Sequence, residues 1–254
     1  MILGAGLGTR LRPLTERTPK VLAPVLGVPF LDRLAGFLAR GGVQALALNT
    51  HHLPEAVAAH VAAAGAAWPP VELFHEPELL GTGGGVVNVA RFWGQAPLLV
   101  WNGDVAADVA PGALLERRAA TGALAVLLVR ERPSDSRLLV DGAGWVCGID
   151  SARRGDHRLL REPRGAARAL AFCGVSVLHP ALAGRLAQPP PFDLVSALLE
   201  LIAAGGAVAA LDAGAAFWGT TGTAAKLAAL EAGLAADPAL LARWAPPPGA
   251  QSRA

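Results

Sequence analysis

The chain has 254 residues, 53% of them hydrophobic and 17% charged, with a formal net charge of +2 at pH 7. That length fits one α/β domain with a sizeable core, or two small ones, and the apolar content excludes disorder over most of the chain. Interspersed acids and bases give no electrostatic footprint for nucleic acid, and no stretch approaches the roughly 20 apolar residues of a membrane span, so neither partner is expected.

The first element is a clipped strand, Ile2-Leu3, which runs into the glycine-spaced stretch Gly4-Ala5-Gly6-Leu7-Gly8-Thr9-Arg10. Met1 leads straight into that strand, so no signal peptide is expected, and its shortness leaves room for one or two residues missing before Met1. Spaced glycines let a backbone turn tightly and aim several N–H groups at one anion, and cations such as Arg10 and Lys20 then hold phosphates. Two common phosphate-loop patterns fail here. A dinucleotide fingerprint places its third glycine three residues after the second, and a Walker loop needs Gly-Lys-Ser/Thr. Lys20 is one of only two lysines, with Lys226, in a chain rich in arginine, which points to a use for a compact point charge.

Apolar spacing then predicts a helix over 31–39 ending at Gly41-Gly42, a buried strand over 45–48 and a helix over 54–63. A strand over 71–74 follows, then a helix over 84–92 opened by the glycine run Gly81-Thr82-Gly83-Gly84-Gly85, and a strand over 97–101. Alternating strands and helices predict a mainly parallel sheet covered on both faces. The second half reads as strands over 124–129, 138–140, 145–149 and 171–178. A proline break at 189–191 precedes a helix over 194–203, and a last helix starts near Thr223. A single domain over 1–245 is expected, with a nucleotide half at about 1–110 and a second half at about 111–235, and residues 246–254 are expected to fray. Asp104, in Asn102-Gly103-Asp104, stands at the carboxyl end of a buried strand, the edge where open α/β sheets hold ligands. His51, His52 and His179 read as structural. Cys147 and Cys173 match no metal spacing and read as reduced core thiols of a cytoplasmic protein.

The string Gly6-Leu7-Gly8-Thr9-Arg10-Leu11-Arg12-Pro13-Leu14-Thr15, with Pro19-Lys20 behind it, resembles the signature of the sugar-1-phosphate nucleotidyltransferases, the NDP-sugar pyrophosphorylases. The resemblance covers about residues 1–235. It implies a Rossmann-like, three-layer αβα fold with a mainly parallel mixed central sheet and no C-terminal β-helix. It also implies Mg²⁺-dependent joining of an NTP and a sugar 1-phosphate into NDP-sugar and pyrophosphate, by a monomer or homodimer. By the same resemblance, Arg10 and Lys20 stabilise phosphates and Asp104 binds Mg²⁺. Gly4, Ala5, Gly6, Gly8, Thr9, Asn102 and Gly103 surround the nucleotide, and Gly81, Thr82, Gly83 and Gly84 sit at its base and ribose. Glu162, Phe172, Gly174 and Thr220 take the sugar phosphate.

One departure stands out. Phe217-Trp218-Gly219-Thr220-Thr221-Gly222-Thr223 resembles the family's Trp-x-Asp-x-Gly-Thr, whose Asp is the second metal ligand, and here that place is Thr220. A neutral hydroxyl is a poorer Mg²⁺ ligand, and Asp212, eight residues upstream, is a carboxylate that replaces it only if the fold brings it there. The substrates stay open between UTP with N-acetylmuramate 1-phosphate, which Thr82–Gly85 and Gly174–Pro180 resemble, and GTP with mannose 1-phosphate, which the amino-terminal string and Asn49–Pro54 resemble. A catalytically impaired nucleotide-sugar-binding regulatory homologue is the alternative that Thr220 supports. A dinucleotide-dependent oxidoreductase is disfavoured by the glycine spacing.

Overall fold

The computed structural model describes residues 1–152, 155–186 and 188–248. In chain order its elements are β1 (Ile2–Leu3), β2 (Pro24–Val25), β3 (Val28–Pro29), α1 (Phe30–Arg40), β4 (Leu46–Thr50), α2 (Pro54–Ala64) and β5 (Val71–His75). They continue with α3 (Gly81–Asn88), α4 (Ala90–Trp93), β6 (Leu98–Asn102), β7 (Val105–Ala107), α5 (Pro111–Thr121), β8 (Ala125–Arg130), β9 (Ser136–Val140) and β10 (Val146–Ser151). The last are β11 (Asp156–Leu159), β12 (Arg168–Leu178), α6 (Leu194–Ala203), β13 (Val208–Asp212), β14 (Trp218–Thr220), α7 (Ala224–Ala236) and α8 (Pro238–Arg243). The chain packs into two compact units. One comprises Met1–Leu79, Trp101–Pro111 and the segment from Phe217 onward; the other comprises Leu80–Val100 and Gly112–Ala216.

In the first unit every pairing of β1, β4, β5 and the end of β6 is parallel. Ile2 stands between Leu48 and Trp101, Leu3 between Asn49 and Asn102, and β5 pairs with the outer side of β4 from Leu46↔Val71 to Thr50↔His75. Parallel strands buried on both faces read as continuous apolar runs, and all five residues of β4 are buried. Helix α1 is buried from Phe30 to Leu38. Its Phe37 ring stacks on Trp244 at 4.3 Å and meets Trp101 edge-on at 5.7 Å, and Phe30 also stacks on Trp244, at 6.1 Å. Buried Arg33 lowers the cost of its charge by donating to the Val25 and Trp244 carbonyls at 3.0 and 3.1 Å, although burial still pulls its pKa down.

The first residues of the tail expected to fray pack against the fold. Pro246 and Pro247 are buried, and Arg40 donates to the Ala245 carbonyl at 2.7 Å. Prolines have little conformational entropy to lose, so a run of them packs readily against a helix. The rest of the expected tail, 249–254, lies outside the described residues.

The second unit is largely antiparallel. β12 is long enough to pair with β8 along Ala171–Leu178 and with β9 along Arg168–Leu170, β9 pairs with β10, and β10 with β11. Only β13 runs parallel to β8. The turn between β9 and β10 is tied by the buried carboxylate of Asp141. One of its oxygens accepts the N–H groups of Ala143 and Trp145 at 3.0 and 2.9 Å. The other accepts the Arg164 N–H at 3.0 Å and the Arg161 guanidinium at 3.1 Å.

The helix expected over 84–92 starts earlier, at Gly81, and breaks after Asn88. Four glycines are poor helix formers, and packing overrides that preference. The Gly83 N–H donates to the Phe192 carbonyl at 3.0 Å, and the Phe192 N–H donates to the Leu80 carbonyl at 3.1 Å. A Cβ on Gly83 would overlap the Phe192 ring. Gly83→Ala is therefore expected to destabilise the protein by about 1–3 kcal/mol through overpacking. In denaturant titrations the loss in the double variant with Phe192→Ala should be smaller than the sum of the two single losses, because the clash is shared.

Asp141 carries a pH expectation. Burial raises its pKa, but the Trp145, Arg164 and Ala143 N–H groups and the Arg161 charge outweigh it, leaving the carboxyl below the ordinary value of 3.8. A depressed acid stabilises above its unfolded pKa, and that contribution fades as pH falls through the folded value. Asp141→Asn should cost about 1–3 kcal/mol at neutral pH, and urea melts from pH 7 to pH 2 should show a shallower acid loss in the variant than in the parent.

Candidate active site

The carboxyl ends of β1 and β6 leave the sheet side by side, and the chain beyond each carries chemistry. After β1 the Gly4 N–H donates to Asn49 Oδ1 at 2.7 Å, and Asn49 Nδ2 in turn donates to the buried Glu76 at 2.7 Å. The loop then turns through Gly8 at φ 65°, a conformation glycine adopts without strain, and a Cβ there would lie 2.7 Å from Thr15 Cγ2. Thr15 fixes the turn by donating its hydroxyl to the Gly8 carbonyl at 2.8 Å, and His52 Nε2 lies 2.7 Å from the Thr15 carbonyl. The N–H groups of Gly6, Leu7, Gly8, Thr9 and Arg10 have no acceptor among the described residues. Gly6, Leu7, Thr9 and Arg10 are exposed, so consecutive backbone donors and a guanidinium face water together, an arrangement that suits a polyphosphate.

Lys20 opens a short 3₁₀ turn, Lys20–Leu22, and its Nζ lies 2.5 Å from Asp104 Oδ2 across 84 residues of sequence. Both side chains stay partly open, 16% and 21% exposed. Thr220 reaches the same oxygen because β14 runs antiparallel to β7, with Thr220 opposite Val105 and the Thr221 N–H on the Asp104 carbonyl at 2.9 Å. The Thr220 hydroxyl donates to Asp104 Oδ2 at 3.2 Å and accepts the Gly222 N–H at 3.2 Å. Arg10 points to this corner too: a Cβ on Gly222 would lie 3.9 Å from its Nη2 and 3.7 Å from Asp104 Oδ2. Asn102 is half-buried, and the Gly103 N–H donates to the Leu3 carbonyl at 2.9 Å.

A divalent cation fits this donor set in one way. Among the described residues, Asp104 is the carboxylate that both Lys20 and Thr220 bond, and no group of three or more His, Cys, Asp or Glu side chains is placed to hold a metal. Mg²⁺ is commonly held by one or two carboxylates together with substrate phosphates. Asp104 would supply the carboxylate oxygen, with the remaining ligands coming from phosphate and water. Bound there, the ion would neutralise phosphate charge.

The other expected site residues lie in the second unit. Thr82 Oγ1 donates to Asp193 at 3.0 Å and accepts the Leu194 N–H at 2.9 Å, and Gly81, Gly83 and Gly84 pack against the Phe192 segment. Glu162 is exposed on the loop that Asp141 anchors through Arg161 and Arg164. Phe172 is half-buried, and Gly174 sits where the pairing of β12 with β8 shifts register. Asp212, weighed as a substitute carboxylate, lies 3.5 Å from Arg168 in this unit.

Sequence reasoning missed Thr15, Asn49, Glu76 and Phe192. Thr15 lies inside the recognised string, but its role is steric and local. Asn49 and Glu76 are linked only through the fold. Two of the histidines read as structural have backbone partners: His51 Nδ1 lies 2.8 Å from the Glu76 carbonyl, and His179 accepts the Ala181 N–H at 3.0 Å. Both cysteines are buried and unbridged. Burial raises the Cys147 thiol and pushes Cys173 up to about 11, so neither offers a thiolate nucleophile at neutral pH.

Over 105 residues, 41% of this chain, it is 39% identical to the mannose-1-phosphate guanylyltransferase of Mycobacterium tuberculosis. Over 107 residues, also 41% of the chain, it is 36% identical to the N-acetylmuramate alpha-1-phosphate uridylyltransferase of Caulobacter vibrioides. The matches span only 29% and 44% of those two proteins' own lengths. The fold is that of HddC from Yersinia pseudotuberculosis, with a TM-score of 0.73, 21% identity, and 91% of this chain covered against 97% of that one. Residues 1–137, which hold the glycine loop, Lys20 and Asp104, match the model of the nucleotidyl transferases, and the chain belongs to that family.

Proposed function

We propose that the protein joins an NTP to a sugar 1-phosphate, giving an NDP-sugar and pyrophosphate with Mg²⁺ as cofactor. The observation that carries this reading is the meeting of Lys20 and Asp104 beside five unpaired loop N–H groups. A phosphate oxygen of the sugar 1-phosphate attacks the α-phosphorus. The new P–O bond forms as the bond to the β-phosphate breaks, and pyrophosphate leaves with its electron pair. No covalent enzyme intermediate is needed. The work is positioning and charge neutralisation. Arg10, Lys20 and the loop amides of Gly6 to Arg10 hold phosphate oxygens, and Asp104 would hold Mg²⁺, which would supply further neutralisation of phosphate charge.

Gly4, Ala5, Asn102 and Gly103 shape the floor of the nucleotide site, and Gly81, Thr82, Gly83 and Gly84 serve the base and ribose. Gly83 does so through its placement, since its own N–H is given to Phe192. Glu162, Phe172 and Gly174 take the sugar phosphate. The candidate pairs are GTP with mannose 1-phosphate and UTP with N-acetylmuramate 1-phosphate. They are supported by the names of two relatives and by a structure of HddC complexed with GMP-PN. A second reading, nucleotide-sugar binding without turnover, rests on Thr220, which brings a hydroxyl rather than a second carboxylate to Asp104.

Pyrophosphate release with Mg²⁺, measured for UTP, GTP, dTTP, CTP and ATP against mannose, N-acetylmuramate and glucose 1-phosphates, tests both readings. Turnover with one pair is expected, and Lys20→Ala and Asp104→Ala should each lower its kcat/KM by roughly 100-fold or more. Near-normal turnover in both variants overturns the assignment of roles. Silence across the panel, with an NTP still raising Tm, selects the second reading.

A further inference from the structure

Asp104 Oδ2 is already crowded. It accepts the Lys20 ammonium at 2.5 Å and the Thr220 hydroxyl at 3.2 Å, and Oδ1 has no partner among the described residues. The carboxylate's charge is therefore matched by one ammonium, and its donors are neutral or cationic. A divalent cation on Oδ2 must displace the ammonium. A cation on Oδ1 keeps Oδ2 free for Lys20, but then a double charge and a single charge of the same sign share one carboxyl group, and the site repels the metal. Thr220 supplies no countercharge to offset that repulsion.

We propose that Lys20 is a stand-in cation on Asp104, so that the divalent metal gains this carboxylate only when a polyphosphate gives the ammonium another acceptor. The idea rests on the reading of this corner as a triphosphate site. The exchange is a relocation of charge without covalent change. Nζ leaves Oδ2 for phosphate oxygens, the metal takes the vacated carboxylate lone pair, and the total charge of protein, metal and nucleotide is conserved. The geometry allows it. Lys20 is a flexible four-carbon arm at the start of a three-residue turn, its head is partly open to water, and the unpaired loop amides of Gly6 to Arg10 belong to the same unit. The consequence is linkage. Metal and nucleotide each tighten the other's binding by the same factor, and removing the stand-in cation weakens that coupling.

The test is direct binding of Mn²⁺, followed by the electron paramagnetic resonance of the free ion, to the full chain with and without a non-hydrolysable α,β-methylene analogue of UTP or GTP. Without nucleotide, Lys20→Met is expected to bind Mn²⁺ at least tenfold more tightly than the parent, and Lys20→Met combined with Asp104→Asn to lose that gain. Thr220→Asp, which adds an oxygen and a countercharge, should also tighten Mn²⁺ binding without nucleotide. Lys20→Gln serves as a second neutral variant should the Met variant fail to give the parent's circular dichroism spectrum. If neither neutral variant binds Mn²⁺ more tightly than the parent, the proposal is overturned. Failure of the underlying reading looks different: neither analogue binds the parent protein, with or without Mn²⁺, whatever the Lys20 variants do.

Discussion

The first unit depends on the two-residue strand β1 being held from both sides in one register. With Ile2 between Leu48 and Trp101, and Leu3 between Asn49 and Asn102, the ends of three parallel strands arrive level. The glycine loop and the Asp104 turn then start beside each other because their strands end beside each other. A one-residue slip of a strand turns its side chains to the opposite face, and here it would also separate Lys20 from its carboxylate. Buried polar groups hold the register as firmly as apolar packing does. Asn49 bridges the Gly4 N–H and Glu76, and the Glu76 N–H returns to the Thr50 carbonyl at 2.8 Å. Asn49, Thr50 and Glu76 are buried, so a broken link among them leaves an unsatisfied partner at a cost of about 1–3 kcal/mol.

Much of this half was legible in the sequence because its signals are local. The apolar runs around Leu46, Val71 and Leu98, the helix closed by Gly41, and the loop from Gly4 to Lys20 state their conformations within a few residues, and strands β4, β5 and β6 fall within two residues of the predicted bounds. What was not legible depends on distant partners. β13 is a short Ala-rich run that becomes a strand by lying along β8. β7 and β14 are three residues each and exist because they pair with one another. The glycines at 81–85 look like a loop until Phe192 covers them. Pro246 and Pro247 look like a tail until α1 gives them a surface, with a Cβ on Gly36 lying only 2.6 Å from the Ala245 carbonyl. At the candidate site the residue types were readable, and so was the departure at Thr220. The hydroxyl's hydrogen bond to Asp104 was not, since it follows from the pairing of β14 with β7.

That hydrogen bond changes the electrostatics of the corner. Two ionised carboxylates about 4 Å apart repel by roughly 4 kcal/mol at the effective dielectric of a protein surface, and an enclosed site screens them less. A site built from two carboxylates therefore holds a cation firmly, or else pays that repulsion in the protein's resting form. A threonine hydroxyl removes the repulsion and adds a donor. Asp104 is then held by Lys20 and Thr220, with the Gly222 N–H supporting the hydroxyl from behind. The protein's own hydrogen bonds thus fix the orientation of the carboxylate.

Order of this kind has a chemical cost and a chemical use, and both act on the same atoms. The cost is that a metal meets one carboxylate whose charge is already matched, so the protein alone contributes little to its binding. The use is that the cation sent away from the carboxylate is not lost to solvent. Lys20 is tethered to a turn whose preceding loop presents consecutive N–H groups, and a triphosphate that engages those groups meets the ammonium as well. Phosphate transfer needs positive charge where negative charge gathers on the reacting and leaving oxygens. In the proposed exchange, an ion pair that opens when a nucleotide arrives would place one cation on the phosphates and free one carboxylate for another. Thr220 is thus compatible with chemistry at this corner as long as the nucleotide brings the metal's remaining ligands with it.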